Sequence, residues 1–343
     1  MRYWAKINMT TVLIITHSGD NESVESVARA VAERGGHAVR LDTDRFPTEA
    51  RLAAHYGGEG RVRVTLATGA AGATGEQEVD LNEVGAVWHR RLSVAARVPR
   101  EMDAQLRAAS VGESRAALLG VLAGLAAFRV DPEAAIRRAE QKPLQLRAAR
   151  ELGLEVPPTL VTNDPPAVRD FYAACGGRVV AKMLSSFAVY DPEGRENVVF
   201  TNPVGPEDLE DLTGLSLCPM TFQERVEKRL ELRATVVGRR VFTASVDSQA
   251  SARAAHDWRR DGVRLVDEWR PYALPPEAER RLLALADYFG LNYGAADFIL
   301  TPDGRHVFLE LNPAGEFFWL DGPELPISGA LADVLLGLAP RRV

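Results

Sequence analysis

Asp297-Phe298-Ile299-Leu300-Thr301-Pro302-Asp303-Gly304-Arg305-His306-Val307-Phe308-Leu309-Glu310-Leu311-Asn312 decides how the rest of this chain is read. Two apolar, β-prone arms flank Pro302-Asp303-Gly304, and Asp-Gly between hydrophobic runs signals a tight hairpin. With Asp303 and Gly304 as the two central turn residues, Pro302 pairs with Arg305, and counting outward sets Asp297 opposite Glu310. Side chains alternate along a strand, so Asn312 joins Glu310 on one face and three oxygen ligands converge. Facing carboxylates repel by up to roughly 1 kcal/mol, so the arrangement needs a compensating cation. Carboxylate and amide oxygens without His or Cys suit a hard ion, Mg²⁺ or Mn²⁺, completed by water and nucleotide phosphates. The bland alternative is an exposed acidic hairpin face, which sits poorly with arms built of Phe, Ile, Leu and Val.

The chain has 343 residues, enough for two or three domains and a sizeable core. Its 41 basic and 47 acidic residues give a net charge of −6 with no basic arm, which argues against nucleic acid as a partner. Cys175 and Cys218 stand far apart without CxxC spacing, so neither a disulfide framework nor a zinc site is expected, and a reducing cytoplasm fits. The longest apolar run, 116–128, is too short to span a bilayer, and 10–16 is too short for a secretory segment. The six histidines are scattered without HExxH.

In order along the chain, residues 1–8 read as an extension before a second candidate start at Met9. Val12-Leu13-Ile14-Ile15 predicts a buried strand. A helix with Val24, Val27, Ala28 and Val31 at helical spacing follows, ended by Gly35-Gly36, and Val39 and Leu41 begin another strand. This is the opening of a small α/β domain with parallel pairing. There is no GxGxxG after the first strand, so a dinucleotide site is not expected. Strands are expected at 61–66 and 84–88, and one or two connecting helices over 101–128. Arg90-Arg91 after the second of these strands reads equally as an anion site or as plain surface cations.

Asp131-Pro132-Glu133 predicts a capped helix start, with Pro143 as a break before the pattern ends at Gly153. Further on, 165–175 reads as a helix. Lys182 interrupts an apolar strand, and the polar stretch from Ser185 to Asn197 reads as a flap over phosphates. Glu231, Arg233 and Thr235 share one face of a strand, so a carboxylate and a guanidinium point together into a cleft or take part in a plain cross-strand ion pair. Gly238-Arg239 reads as a hairpin turn, 276–290 as a helix, and 328–337 as a short closing helix.

Lys142, Lys182, Gln223-Glu224-Arg225-Val226, Glu231-x-Arg233, Asp297 and Glu310-x-Asn312, in this order, resemble the ATP-grasp ligases over about residues 130–320. The resemblance implies α/β and α+β architecture: a pre-ATP-grasp α/β domain with connecting helices at 9–128, a central ATP-grasp subdomain at 129–220 and a C-terminal one at 221–343. More narrowly, the chain resembles the graspetide, or microviridin-type, branch, whose members close side-chain ester or amide rings in ribosomal precursor peptides. That narrower likeness rests on Leu13-Ile14-Ile15-Thr16-His17, Val87-Trp88-His89-Arg90-Arg91, Gln141-Lys142-Pro143-Leu144-Gln145-Leu146, residues 159–164, Asp257-Trp258-Arg259, and Asn312-Pro313-Ala314-Gly315-Glu316.

The resemblance implies ATP held between two subdomains, with Lys142 and Lys182 on phosphates. Glu224 and the Val226 backbone would meet adenine, Glu231 the ribose hydroxyls, and Arg233 the transferred phosphate. Asp297, Glu310 and Asn312 would hold two Mg²⁺ ions, and Asp257 and Arg259 would engage the acidic side chain of the substrate. It also implies a precursor peptide with leader and acidic core as partner, and a homodimer. Glu316 departs from the glutamine expected there, which leaves the role of that turn open.

The chemistry is coherent. A carboxylate is a poor acyl donor, so it first attacks the γ-phosphorus to give an acyl phosphate; Mg²⁺, Lys and Arg offset the repulsion between anions. A hydroxyl or amine then displaces phosphate, and placing both groups on one peptide gives effective molarities of about 10⁵ M or more. Two other readings remain: an ATP-grasp ligase that adds amino acids to a protein tail or joins small molecules, and a regulatory ATP-binding protein. The second is disfavoured because every expected metal ligand is present.

Overall fold

The structure, a computed structural model, describes residues 9–57, 63–68, 77–184, 188–190, 196–198, 201–250 and 258–342. The Thr11–Thr16 strand pairs in parallel with His37–Asp42 on one side and Val84–His89 on the other, and Phe128–Val130 extends the sheet in the same direction. Parallel strands are covered on both faces, which explains why Val12, Leu13, Ile14 and Ile15 form one unbroken apolar run and are all buried. Helix Ser23–Glu33 turns Val24, Val27 and Val31 inward, and Gly35 at φ +78° follows its end. The connecting region is one helix, Ala104–Ala123, whose first turn is capped by the Asp103 carboxylate accepting from the Gln105 and Leu106 N–H groups. Strands Ala50–His55, Arg63–Thr68 and Gln77–Asp80 make a separate antiparallel sheet.

Pro143 separates two helices, Glu133–Ala139 and Lys142–Glu151, and occupies the first turn of the second, where its missing N–H costs nothing. The expected cap at Asp131 is not formed. Pro132 flanks the helix instead, and the buried Asp131 carboxylate accepts from the backbone N–H groups of Asn292 and Tyr293 at 2.7 and 2.9 Å. Two unpaired strand-end donors attract the carboxylate more strongly than a solvent-facing helix end does.

A four-stranded antiparallel sheet follows in the order Asn202–Pro203, Val179–Lys182, Met220–Glu224, Thr159–Thr162, with helix Pro165–Ala174 against it. Most of the expected flap lies outside the described residues; the Ala188–Tyr190 and Glu196–Val198 strands within it pair antiparallel. The last sheet has five strands in the order Arg270–Pro271, Arg240–Val246, Leu230–Val237, Tyr293–Leu300, His306–Asn312. Gly238-Arg239 is the two-residue turn between Leu230–Val237 and Arg240–Val246, as expected. Helix Pro276–Phe289 packs Leu282, Leu285 and Phe289 beneath this sheet and ends at Gly290, φ +71°. The closing helix, Ile327–Leu336, packs Leu331 and Leu335 into one apolar cluster with Val27, Val31 and Trp88 of the first domain and with Phe242 and Tyr293 of the last sheet.

The hairpin quoted at the outset differs at its tip. The Thr301 N–H donates to the Arg305 carbonyl at 3.0 Å and the Gly304 N–H to the Thr301 carbonyl at 3.0 Å, with Gly304 at φ +88°. The loop is therefore the three residues Pro302-Asp303-Gly304 with glycine in the left-handed position, not a two-residue turn. This shifts the register by one residue from Leu300↔His306 through Phe298↔Phe308; a bulge between Asp297 and Phe298 shifts it back, and Asp297 lies opposite Glu310 after all.

Candidate functional site

The bulge aims the acidic pair onto one face of the sheet. Asn312 Nδ2 lies 3.1 Å from Glu310 Oε1 and 3.2 Å from Asp297 Oδ2, so the three expected ligands converge. Among the described residues no three His, Cys, Asp or Glu side chains gather into a metal-binding group; the donor set here is two carboxylates and one amide. Protein cations answer these charges. Lys142 Nζ, at the start of its helix, reaches Glu310 Oε2 at 2.5 Å, and Arg233 Nη1 reaches both Asp297 oxygens at 2.7 and 2.9 Å. Burial opposes ionisation of Glu310, but Lys142 and Lys182 beside it pull its carboxyl down to about 2. The desolvation of Arg233 is likewise outweighed by Asp297, which holds its pKa above the ordinary arginine value. Arg233 makes a cross-strand ion pair, with Asp297 directly opposite it on the neighbouring strand.

One turn along the Lys142 helix, the buried Gln145 accepts from the Leu311 N–H at 2.9 Å and donates to the Leu311 carbonyl at 2.7 Å. Both main-chain groups of the residue between Glu310 and Asn312 are thereby held. Nothing in the sequence singles out this glutamine beyond its place in the 141–146 stretch.

Lys182 ends its strand and donates to Gln223 Oε1 at 2.9 Å, and Gln223 donates to Thr159 Oγ1 at 2.8 Å. Glu224 meets Arg178 at 3.3 Å, and Glu231 meets Lys228 at 3.0 Å. Val226 is half-buried in the link between the four-stranded and five-stranded sheets. Asp257 lies outside the described residues. Arg259 falls in the short turn Trp258–Asp261, and its side chain also lies outside what is described.

Glu316 acquires a role. Its carboxylate accepts from Asn21 Nδ2 and Arg90 Nη2, each at 2.5 Å, and from Arg91 Nη2, while its main-chain oxygen accepts from Arg233 Nη2 at 3.1 Å. Arg90 also donates to the Ala314 carbonyl at 2.9 Å and faces the buried Asp20 at 3.5 Å. Burial favours a neutral Asp20, but the Thr16 hydroxyl and Arg90 hold its carboxyl below the usual range. The paired arginines are thus an anion site, and the anion is supplied by the far end of the same chain.

The family model described as the MvdD pre-ATP grasp domain matches residues 11–137. No curated protein matches the sequence. A Chryseobacterium gregarium RiPP-associated ATP-grasp ligase, solved with ADP and with a leader and core peptide, has TM-score 0.91 and 39% identity over 98% of this chain and 100% of its own. Macrocyclase MdnC from Microcystis aeruginosa, solved with precursor peptide MdnA, has TM-score 0.84 and 46% identity over 96% of this chain and 100% of its own. The ATP-grasp ligase PsnB, solved with a precursor variant, Mg and ADP, has TM-score 0.70 and 25% identity over 96% of this chain and 98% of its own. A pre-ATP-grasp domain joined to an ATP-grasp fold with this identity to such enzymes leaves one conclusion: the chain belongs to the graspetide, or microviridin-type, ATP-grasp ligases that mature ribosomal peptides.

Proposed function

We propose that this protein is an ATP-dependent, ADP-forming macrocyclase that joins Asp or Glu side chains of a ribosomal precursor peptide to hydroxyl or amine side chains of the same peptide. The observation that carries this reading is the convergence of Asp297, Glu310 and Asn312 beside Lys142 and Arg233. Two carboxylates and a side-chain amide are the donor chemistry of a hard divalent ion, and the flanking cations match phosphate.

In this reading Lys142 and Lys182 bind the phosphates, Glu224 and the Val226 backbone bind adenine, and Glu231 binds the ribose hydroxyls. Asp297, Glu310 and Asn312 would hold Mg²⁺, which would supply neutralisation of the nucleotide's phosphate charge. Arg233 stabilises the transferred phosphoryl group while Asp257 and Arg259 orient the peptide's carboxylate. A carboxylate oxygen attacks the γ-phosphorus and ADP leaves, giving an acyl phosphate. The hydroxyl or amine then attacks the acyl carbon, inorganic phosphate leaves, and the nucleophile's proton is lost, so each ring removes one water overall. The subdomains 9–128, 129–220 and 221–343 supply the parts, and the protein works as a homodimer in the cytoplasm. The free thiols Cys175 and Cys218 support that compartment, and family resemblance supports the dimer. No helix among the described residues is long and apolar enough to cross a membrane.

Mass spectrometry of candidate precursor peptides from short reading frames near the gene, each incubated with enzyme, ATP and Mg²⁺, tests this. One water lost per ring with matching ADP release is expected. A product heavier by an added unit would mean a tail-adding ligase, and an unchanged peptide across all neighbouring precursors would overturn the proposal.

A further inference from the structure

The turn that follows Asn312 is held by its main chain. Three successive carbonyl oxygens, those of Ala314, Gly315 and Glu316, each accept from a side chain on a different element: Arg90 Nη1 at 2.9 Å, the Tyr293 hydroxyl at 2.5 Å and Arg233 Nη2 at 3.1 Å. Arg90 follows the Val84–His89 strand of the first domain, Tyr293 opens the Tyr293–Leu300 strand, and Arg233 lies within Leu230–Val237. A fourth bond, from the Gly315 N–H to the Asn312 carbonyl at 3.1 Å, ties the turn back to the charged site.

Gly315 lies directly against that site. A Cβ there would come 2.6 Å from the Ala295 Cβ, 3.1 Å from Arg233 Nη2 and 3.2 Å from the Asn312 Cβ, closer than side-chain atoms normally approach, so it is glycine that lets the backbone in. Arg233 is thus gripped from two sides. Asp297 takes Nη1 and the Glu316 carbonyl takes Nη2, and acceptors on two nitrogens fix the plane of a guanidinium that one acceptor would leave free to tilt. The Tyr293 side chain is buried, with its ring centroid 5.9 Å from that of Phe317, so the packing holds the hydroxyl in place. Burial pushes this hydroxyl up to about 12 against the pull of Arg90 and Arg233, and it therefore remains a donor at neutral pH.

We propose that Tyr293 is a positioning residue for phosphoryl transfer: by holding the Gly315 carbonyl it seats the turn whose next carbonyl orients the Arg233 guanidinium. The proposal rests on the reading above, in which Arg233 meets the transferred phosphoryl group. Without the hydroxyl a buried carbonyl is stranded beside Arg233, the turn shifts to find another donor, and the guanidinium tilts with it. ATP and peptide still bind through other residues. The rate falls, because displacement on the ångström scale is felt in the transition state.

Tyr293→Phe keeps the ring and removes only the hydroxyl. With a precursor peptide that the unaltered enzyme cyclises, kcat for ADP release should fall about tenfold while KM for ATP and for peptide stays within about twofold. The same change in an Arg233→Lys background should cost less than about twofold, since the residue it acts through is already altered. A tyrosine that only supports the fold would cost the same in both backgrounds, and that result, or an unchanged kcat in Tyr293→Phe, would overturn the proposal. Gly315→Ala presses on the guanidinium without touching the tyrosine. It should lower kcat about a hundredfold at unchanged KM, and full activity there would overturn the proposal even if Tyr293→Phe folded poorly. Failure of the unaltered enzyme to cyclise any precursor would instead remove the macrocyclase reading itself.

Discussion

Arg90 grips Glu316 at 2.5 Å although 226 residues separate them, and the main-chain oxygen of the same glutamate receives Arg233 at 3.1 Å. The first domain thereby sets the position of the arginine that holds Asp297. Glu316→Ala would leave the Arg90 guanidinium, 1% exposed, with Asp20 at 3.5 Å as its one carboxylate among the described residues, beside the Ala314 carbonyl. Urea denaturation should show a loss on the order of 3 kcal/mol, and Glu316→Gln, which retains an acceptor, a clearly smaller one. Equal losses for the two variants would mean that charge alone matters at this contact.

Glu310→Gln keeps the size of the side chain and removes the charge that faces Lys142. Cyclisation should fall by roughly 10³-fold or more while circular dichroism stays native. Full activity in this variant would refute the assignment of Glu310 as a metal ligand.

Gln145→Leu should strand the N–H and carbonyl of Leu311 in the interior. The expected cost is about 2–3 kcal/mol in chemical denaturation, with cyclisation reduced because Glu310 and Asn312 flank the freed peptide unit. A variant as stable as the parent would show that water replaces the amide without loss.

Burial raises the Asp131 carboxyl from 3.8 to about 6, only partly offset by the N–H groups of Asn292 and Tyr293. The folded state then holds this proton more tightly than the unfolded chain. The stability from Asp131 is complete below pH 3.8 and is lost as pH rises through about 6, up to about 3 kcal/mol in total. Denaturation of the parent and of Asp131→Asn between pH 4 and pH 8 isolates the effect. The parent should lose stability relative to the variant across that window, and parallel curves would contradict the raised pKa.

Much of the fold was legible in local pattern. The Val12–Ile15 run, the spacing of Val24, Val27 and Val31, the glycines at positions 35 and 290, and Pro143 each act within a few residues, and each does in the structure what its chemistry requires. The hairpin tip was misread, because Asp-Gly suits both a two-residue turn and the left-handed end of a three-residue loop. The pairing of Asp297 with Glu310 held only because the bulge restored the register. Asp131 was assigned to a helix end on the strength of its neighbour Pro132, whereas its partners lie 161 and 162 residues away.

The sequence by itself determined the elements, the order of the charged residues along them and, through that order, the family. Only the tertiary structure decided that Glu316 answers Arg90 and Arg91, that Gln145 holds Leu311, and that Tyr293 holds the Gly315 carbonyl beside Arg233. The physical reason is range. Periodicity, capping and turn preference are energies between near neighbours, whereas a buried charge or donor takes whichever partner the packing of distant segments brings within about 3 Å, and no spacing along the chain encodes that choice.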